Sequence, residues 1–138
     1  MDTTRALELI ASVRTATLAT VAVDGRPRLV PIVFAVLGDG RLASAVDHKP
    51  KRHRRLARLD DIRRDDRVTL LFDRYSDDWS GLWWVRVDAR ASVVEQPPEG
   101  AAEALKVRYP QYTAAPPAGP WILMTPIRVT GWEASPAR

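Results

Sequence analysis

The spacing of apolar residues changes several times along this chain, and each change marks an element. Leu7, Ile10 and Val13 recur at three-residue steps and Leu9 widens the stripe. That predicts a short helix over residues 3–13, capped by Asp2 or Thr3. Residues 15–23 are rich in Val, Thr, Leu and Ala and predict a strand. Asp24-Gly25 is a type I′ turn signal, and residues 28–36 read as the return strand. Pro31 within it implies a sheet edge or a bulge, because proline has no N–H for a ladder. Gly38-Asp39-Gly40 makes a second turn, and residues 41–46 a third strand.

In the second half, Leu56, Leu59 and Ile62 stand at helical spacing and predict a helix over 50–63, with Pro50 in its first turn. Residues 68–72 predict a short strand, and 73–81 a polar loop carrying Tyr75 and Trp79. The longest strand covers 82–95. Trp83, Val85, Val87, Ala89, Ala91 and Val93 fall on one face, and Trp84, Arg86, Asp88, Arg90 and Ser92 on the other. A second amphipathic helix is expected over 99–109, and a proline-rich loop over 110–120. A final strand is expected over 121–132, broken at Pro126. Six or so mostly antiparallel strands with three short flanking helices predict a mainly β (α+β) barrel, one domain over residues 1–138.

Charge adds one feature. The net charge is +4 and the sequence pI about 10. Much of the excess lies in KPKRHRRLAR, residues 49–58, where seven of ten residues are Lys, Arg or His. A strand followed by a helix start loaded with cations suits an anion: a phosphorylated cofactor, a nucleic acid or solvent counterions. A nucleic-acid binder needs a broader basic surface with stacking aromatics. Here Arg63, Arg64 and Arg67 alternate with Asp60, Asp61, Asp65 and Asp66, which interrupts the stripe. The paired acids read as helix-end and turn residues.

The chain has no cysteine, so neither a disulfide frame nor a thiolate metal site is expected, and two histidines do not make a zinc site. No run of about 18 apolar residues predicts a membrane span. The N-terminus lacks the order of a signal peptide, so a cytoplasmic protein is expected. Serine-hydrolase, GxxxxGK and GxGxxG motifs do not occur. Of the five tryptophans, Trp83, Trp121 and Trp132 are assigned to packing. Trp79, in a polar loop, is assigned to an interface or a ring stack.

These segments in order carry a resemblance. ATLATVAVDGRPRLVPIVF, a strand, KPKRHRRLARL, RRDDRVTLLFD and LWWVRVDARASVV resemble the pyridoxamine-phosphate-oxidase-like (PPOX-class) flavoproteins, whose fold is the FMN-binding-protein-like split β-barrel. Within that superfamily the chain is similar to the actinobacterial branch that uses the deazaflavin coenzyme F-420. The likeness runs from about residue 6 to 132. It implies an oxidoreductase that passes a hydride to a small unsaturated acceptor of enone or quinone type. It also implies a homodimer with a cofactor site at each subunit interface.

Carried over residue by residue, Pro31, Ile32, Val33 and Phe34 match the strand along the cofactor ring, and Ser44 and Ala45 the end of the next strand. Lys49 and Lys51 match the phosphate-binding pair, followed by Arg52 and Arg55. Trp79 matches a region brought in by the partner subunit, along with Trp83 and Trp84. The resemblance names no catalytic side chain; by position alone Tyr75 and His48 are the candidates for proton transfer, with solvent as the alternative donor and a phosphate or cap hydrogen bond as the alternative role of His48. An FMN-dependent oxidoreductase of the same fold and a non-catalytic F-420 carrier are the alternatives. Residues that would bind pyridoxal phosphate have no match, and haem lacks an axial ligand beyond His48 and His53.

Overall fold

In a computed structural model of the protein, residues 1–46, 56–117 and 119–134 are described. Helix α1 spans Thr3–Ala11, with the Asp2 side chain accepting from the Arg5 N–H at its start. Strands β1 (Ala16–Val21), β2 (Pro27–Ile32), β3 (Ala35–Val36) and β4 (Leu42–Ala45) follow. Then come α2 (Ala57–Arg64), β5 (Arg67–Arg74), a 3-10 turn at Trp79–Gly81, β6 (Trp83–Val94), α3 (Ala101–Arg108), α4 (Gln111–Ala114) and β7 (Trp121–Glu133).

The strands form one antiparallel sheet in the order β2-β1-β5-β6-β7-β4-β3. β2 and β3 are neighbours in sequence yet occupy opposite edges. Val33 and Phe34 alone join them, a link that spans roughly 10 Å at most. Two edges that close cannot belong to a flat sheet, so the sheet curls until they meet. The return strand expected over 28–36 is thus two strands, broken where the barrel closes. Pro31 sits on the edge strand β2, opposite Thr17.

Both tight turns use one device. Ala22 N–H donates to Arg26 O while Gly25 N–H donates to Ala22 O, and Leu37 with Arg41 and Gly40 repeats the pattern. These are three-residue loops ending in a glycine with φ of 86° and 89°, where other residues are strained. The two-residue type I′ turn expected at Asp24-Gly25 is therefore corrected.

β6 shows the expected alternation, its inward positions from Trp83 to Ala91 buried. β7 is not broken at Pro126. Ala89 pairs with Pro126 and Asp88 with Arg128, so Ile127 is an extra residue and the strand continues past a bulge. Leu18, Leu70, Phe72, Val85 and Phe34 fill the barrel, and the Phe34 and Phe72 rings meet edge to face at 5.0 Å. α1 and α2 cover it with Ala6, Ile10, Leu59 and Ile62. A second apolar cluster lies outside the sheet, where α3 sets Leu105 and Tyr109 against Ala35, Ala43, Ala45 and Trp121.

Two further expectations are corrected. A continuous helix over 50–63 is not formed, since Leu56 is extended at ψ 122° and the described helix starts at Ala57. Residues 50–55 of the expected helix lie outside the described residues. The loop expected over 110–120 contains the one-turn α4. Among the described residues, no helix is long and apolar enough to cross a membrane.

Candidate functional site

The break between β2 and β3 costs two residues their places in the ladder, and side chains replace the missing partners. Ser44 Oγ, from β4, donates to Val33 O at 2.7 Å. Phe34 N–H donates to Tyr109 Oη at 3.3 Å, and that hydroxyl donates in turn to Arg14 O. Arg108 lies over the Phe34 ring at 4.6 Å and donates to the carbonyls of Ala11 and Val13. The closure is held from outside by α3 and from α1's end. Buried backbone groups without partners are costly, so these bonds fix the local geometry.

A cavity of about 240 Å³ opens beside this closure. Pro31, Ile32, Val33, Ser44 and Ala45 line it together with Thr15 and Arg58. Its walls are the ends of β2 and β4, and Arg58 enters from the second residue of α2. The residues flanking segment 47–55, Ala45 on one side and Arg58 on the other, both line this one cavity. Lys49, Lys51, Arg52, Arg55 and His48 lie outside the described residues.

The remaining candidates lie elsewhere. Phe34 is fully buried in the barrel, so only its backbone borders the closure. Trp79 is 76% exposed on the 3-10 turn. Asp78 ties that turn by accepting from Ser80 N–H at 3.0 Å and Ser80 Oγ at 2.6 Å. These bonds, first the one from the Ser80 hydroxyl, hold the Asp78 carboxyl below its ordinary value. Tyr75 is likewise exposed. Neither aromatic lines the cavity of this chain. Trp83 and Trp121 are buried in the core, and Trp132, expected in core or dimer packing, is 48% exposed on the single chain. It stands across from Trp84, whose ring carries the Arg86 guanidinium at 5.4 Å.

Sequence reasoning passed over Asp61, which is buried rather than a surface helix-end residue. It accepts from Thr20 Oγ1 at 2.8 Å, Arg28 Nε at 2.7 Å and Arg64 Nη2 at 3.2 Å. Burial works to raise this carboxyl, but the bonds from Arg28, Thr20 and Arg64 together outweigh it and hold it below the ordinary value. The network pins α2, and with it Arg58, against the β1–β2 hairpin. Arg58 and Thr15 were also missed. The one available signal was that Arg58 closes the basic run, two residues after Leu56 leaves it. Among the described residues, no cluster of His, Asp or Glu has the makings of a metal site.

A curled antiparallel sheet closing at Val33 and Phe34, with a groove between the ends of β2 and β4, defines a split β-barrel. The chain belongs to the pyridoxamine 5'-phosphate oxidase family, whose model matches residues 3–133. Among curated proteins none matches this sequence. Several solved structures share the fold. A conserved hypothetical protein of Mycobacterium tuberculosis, Rv2991, is 24% identical with a TM-score of 0.75, over 96% of this chain and 85% of that one. A FAD-binding protein of Mesorhizobium loti is 20% identical with a TM-score of 0.67, over 95% and 92%. The haem storage protein HutZ of Vibrio cholerae is 16% identical with a TM-score of 0.70, over 95% and 93%.

Proposed function

We propose that the groove holds a flavin-type redox cofactor, coenzyme F-420, and that the chain is an oxidoreductase acting on a small unsaturated acceptor. One observation carries this reading. The cavity gathers the ends of β2 and β4, and the cationic segment is tethered to it at both ends, through Ala45 and Arg58. The donor set fits such a cofactor. Ile32, Val33 and Ala45 offer an apolar wall to a flat ring, and Thr15 and Ser44 offer hydroxyls. Ser44 spends its proton on Val33 O, so toward the cavity it acts as an acceptor. Arg58, with Lys49, Lys51, Arg52 and Arg55 of the tethered segment, would hold the phosphate and the tail carboxylates.

When bound, the deazaflavin supplies the hydride. The chain's part is to position the ring and the acceptor and to exclude water. Trp79, projecting from its bonded turn, serves the site of a second subunit as an aromatic lid. FMN carries a phosphate for the same cations and is the alternative cofactor. A carrier that binds F-420 without turnover is the alternative role.

Titration of the protein with F-420 and with FMN tests the cofactor. F-420 should bind more tightly, and Lys51→Ala should weaken it by about 1.5–3 kcal/mol, the worth of a hydrogen bond to a charged group. Preference for FMN would move the protein to the alternative class, and an unchanged affinity in the variant would place the phosphate elsewhere. Binding without acceptor-dependent oxidation across a panel of enones and quinones would favour the carrier.

The same reading requires two copies. The outward face of the sheet exposes Leu29, Leu71 and Trp132, with Trp84 half-buried across from Trp132, apolar surface that a second copy would cover. Sedimentation at micromolar concentration is expected to give twice the chain mass. A monomer there would remove the composite site.

A further inference from the structure

A second cavity abuts the groove and has a chemistry of its own. It measures about 290 Å³ and shares Thr15 and Pro31 with the groove. One wall is the segment from Ser12 to Thr15. That wall is fixed from behind, since Arg108 and Tyr109 hold the carbonyls of Ala11, Val13 and Arg14, and the Arg14 guanidinium donates to Arg108 O. The opposite wall is the end of β5, at Asp73 and Arg74.

Strand parity decides where Arg74 lies. Val68, Leu70 and Phe72 face into the barrel and are buried, and Arg74 is the next position of that series, exposed where the strand leaves the barrel. Several arginines of the sheet and its helices are ion-paired, Arg28 and Arg64 sharing Asp61, Arg67 with Asp65 and Arg90 with Asp66; Arg86, Arg108 and Arg128 make no ion pair among the described residues, but none of them lines this cavity. Arg74 makes no ion pair among the described residues. It lines the cavity beside the hydroxyl-bearing Ser12, Thr15 and Thr17.

We infer that this cavity is the acceptor subsite and that Arg74 selects acceptors bearing a carboxylate. The inference rests on the groove being the cofactor site. Contact through Thr15 and Pro31 then places an acceptor in the second cavity alongside a ring in the first. A guanidinium offers two parallel N–H groups to a carboxylate, which fixes orientation as well as charge. Arg14 and Arg74 against Asp73 leave one net positive charge in the lining. That matches a monoanionic carboxylate better than a phosphate dianion. The fixed wall adds preorganisation, which lowers the ordering cost of binding.

The test separates this inference from the reading beneath it. Calorimetric titration of the protein saturated with oxidised F-420, which occupies the groove's own cations, compares trans-cinnamate, a planar unsaturated carboxylate, with cinnamamide, its neutral counterpart. The acid should bind roughly tenfold more tightly, the scale of one charge-assisted pair. Arg74→Gln should erase that preference while leaving cofactor affinity and the unfolding midpoint unchanged, because the residue is exposed at the mouth. No detectable binding of cinnamate, equal binding of acid and amide, or a preference that survives in Arg74→Gln would each overturn the subsite. Weakened cofactor binding in Arg74→Gln would also overturn it, by giving Arg74 to the cofactor. A native protein that binds neither F-420 nor FMN would remove the reading on which the subsite rests, and that result is read from a separate titration.

Discussion

Replacing Phe34 with alanine is expected to lower the free energy of unfolding by about 3–5 kcal/mol, the range for an aromatic side chain removed from a packed core. Phe34 has no exposed surface. Its ring packs on Phe72 at 5.0 Å inside the barrel and lies under the Arg108 guanidinium. It is also one of the two residues that carry the chain from one sheet edge to the other. The site therefore collapses poorly when the ring is lost, because the surrounding strands are tied by their own ladders. Phe34→Leu, which keeps most of the apolar volume, should lose much less. Urea unfolding measures both. Similar losses for the two variants would show that closure does not depend on filling this position.

Asp61→Ala is expected to cost about 2–4 kcal/mol, because it breaks a buried, hydrogen-bonded charge and strands a hydroxyl. The Arg28 partner is 43% exposed, against 3% for the Asp61 side chain, so Arg28 can turn to water. Thr20 is buried and cannot. That asymmetry keeps the loss below the upper range for fully buried pairs. The effect has a pH signature. The folded-state pKa of Asp61 lies below its ordinary value. Its contribution is therefore fully present above the unfolded pKa of about 3.9 and fades as pH falls through the lower folded value. Asp65, brought to about 2 by Arg67, acts in the same direction and remains in the variant. Native protein and variant should thus converge in stability as pH drops below 4, with a shallower acid slope for the variant. Parallel curves down to pH 2 would sink the assignment of this charge.

The two variants also bear on the groove. Phe34 sets how the ends of β2 and β4 approach each other. Asp61 sets where α2 delivers Arg58. Neither residue lines the groove with its side chain. Their effect on cofactor affinity would pass through position rather than contact.

What the sequence determined by itself is local. The alternation from Trp83 to Val93 reports a strand with one wet face, and it holds because a period of two needs no knowledge of the rest of the chain. Pro31 marks an edge because a missing N–H has the same consequence in any sheet, whereas the break expected at Pro126 is a bulge that only the pairing of β6 with β7 shows. The order of segments was enough to identify the split barrel. Most ring-side candidates, Pro31, Ile32, Val33, Ser44 and Ala45, fall in one cavity because they end two strands whose sequence is legible.

Only the tertiary structure decided the rest. Residues 28–36 read as one apolar strand, and nothing local says that the chain leaves one sheet edge at Ile32 and joins the other at Ala35. β4 shows no alternation, since the barrel covers one of its faces and α3 the other. Asp61 looks like a helix-end acid until the fold brings Arg28, 33 residues away, against it. The Tyr109 hydroxyl reaches Arg14 across 95 residues. Such partners meet only after the sheet has curled. A spacing pattern reports which face of an element is apolar, but the element that covers that face is fixed by where the whole chain places it.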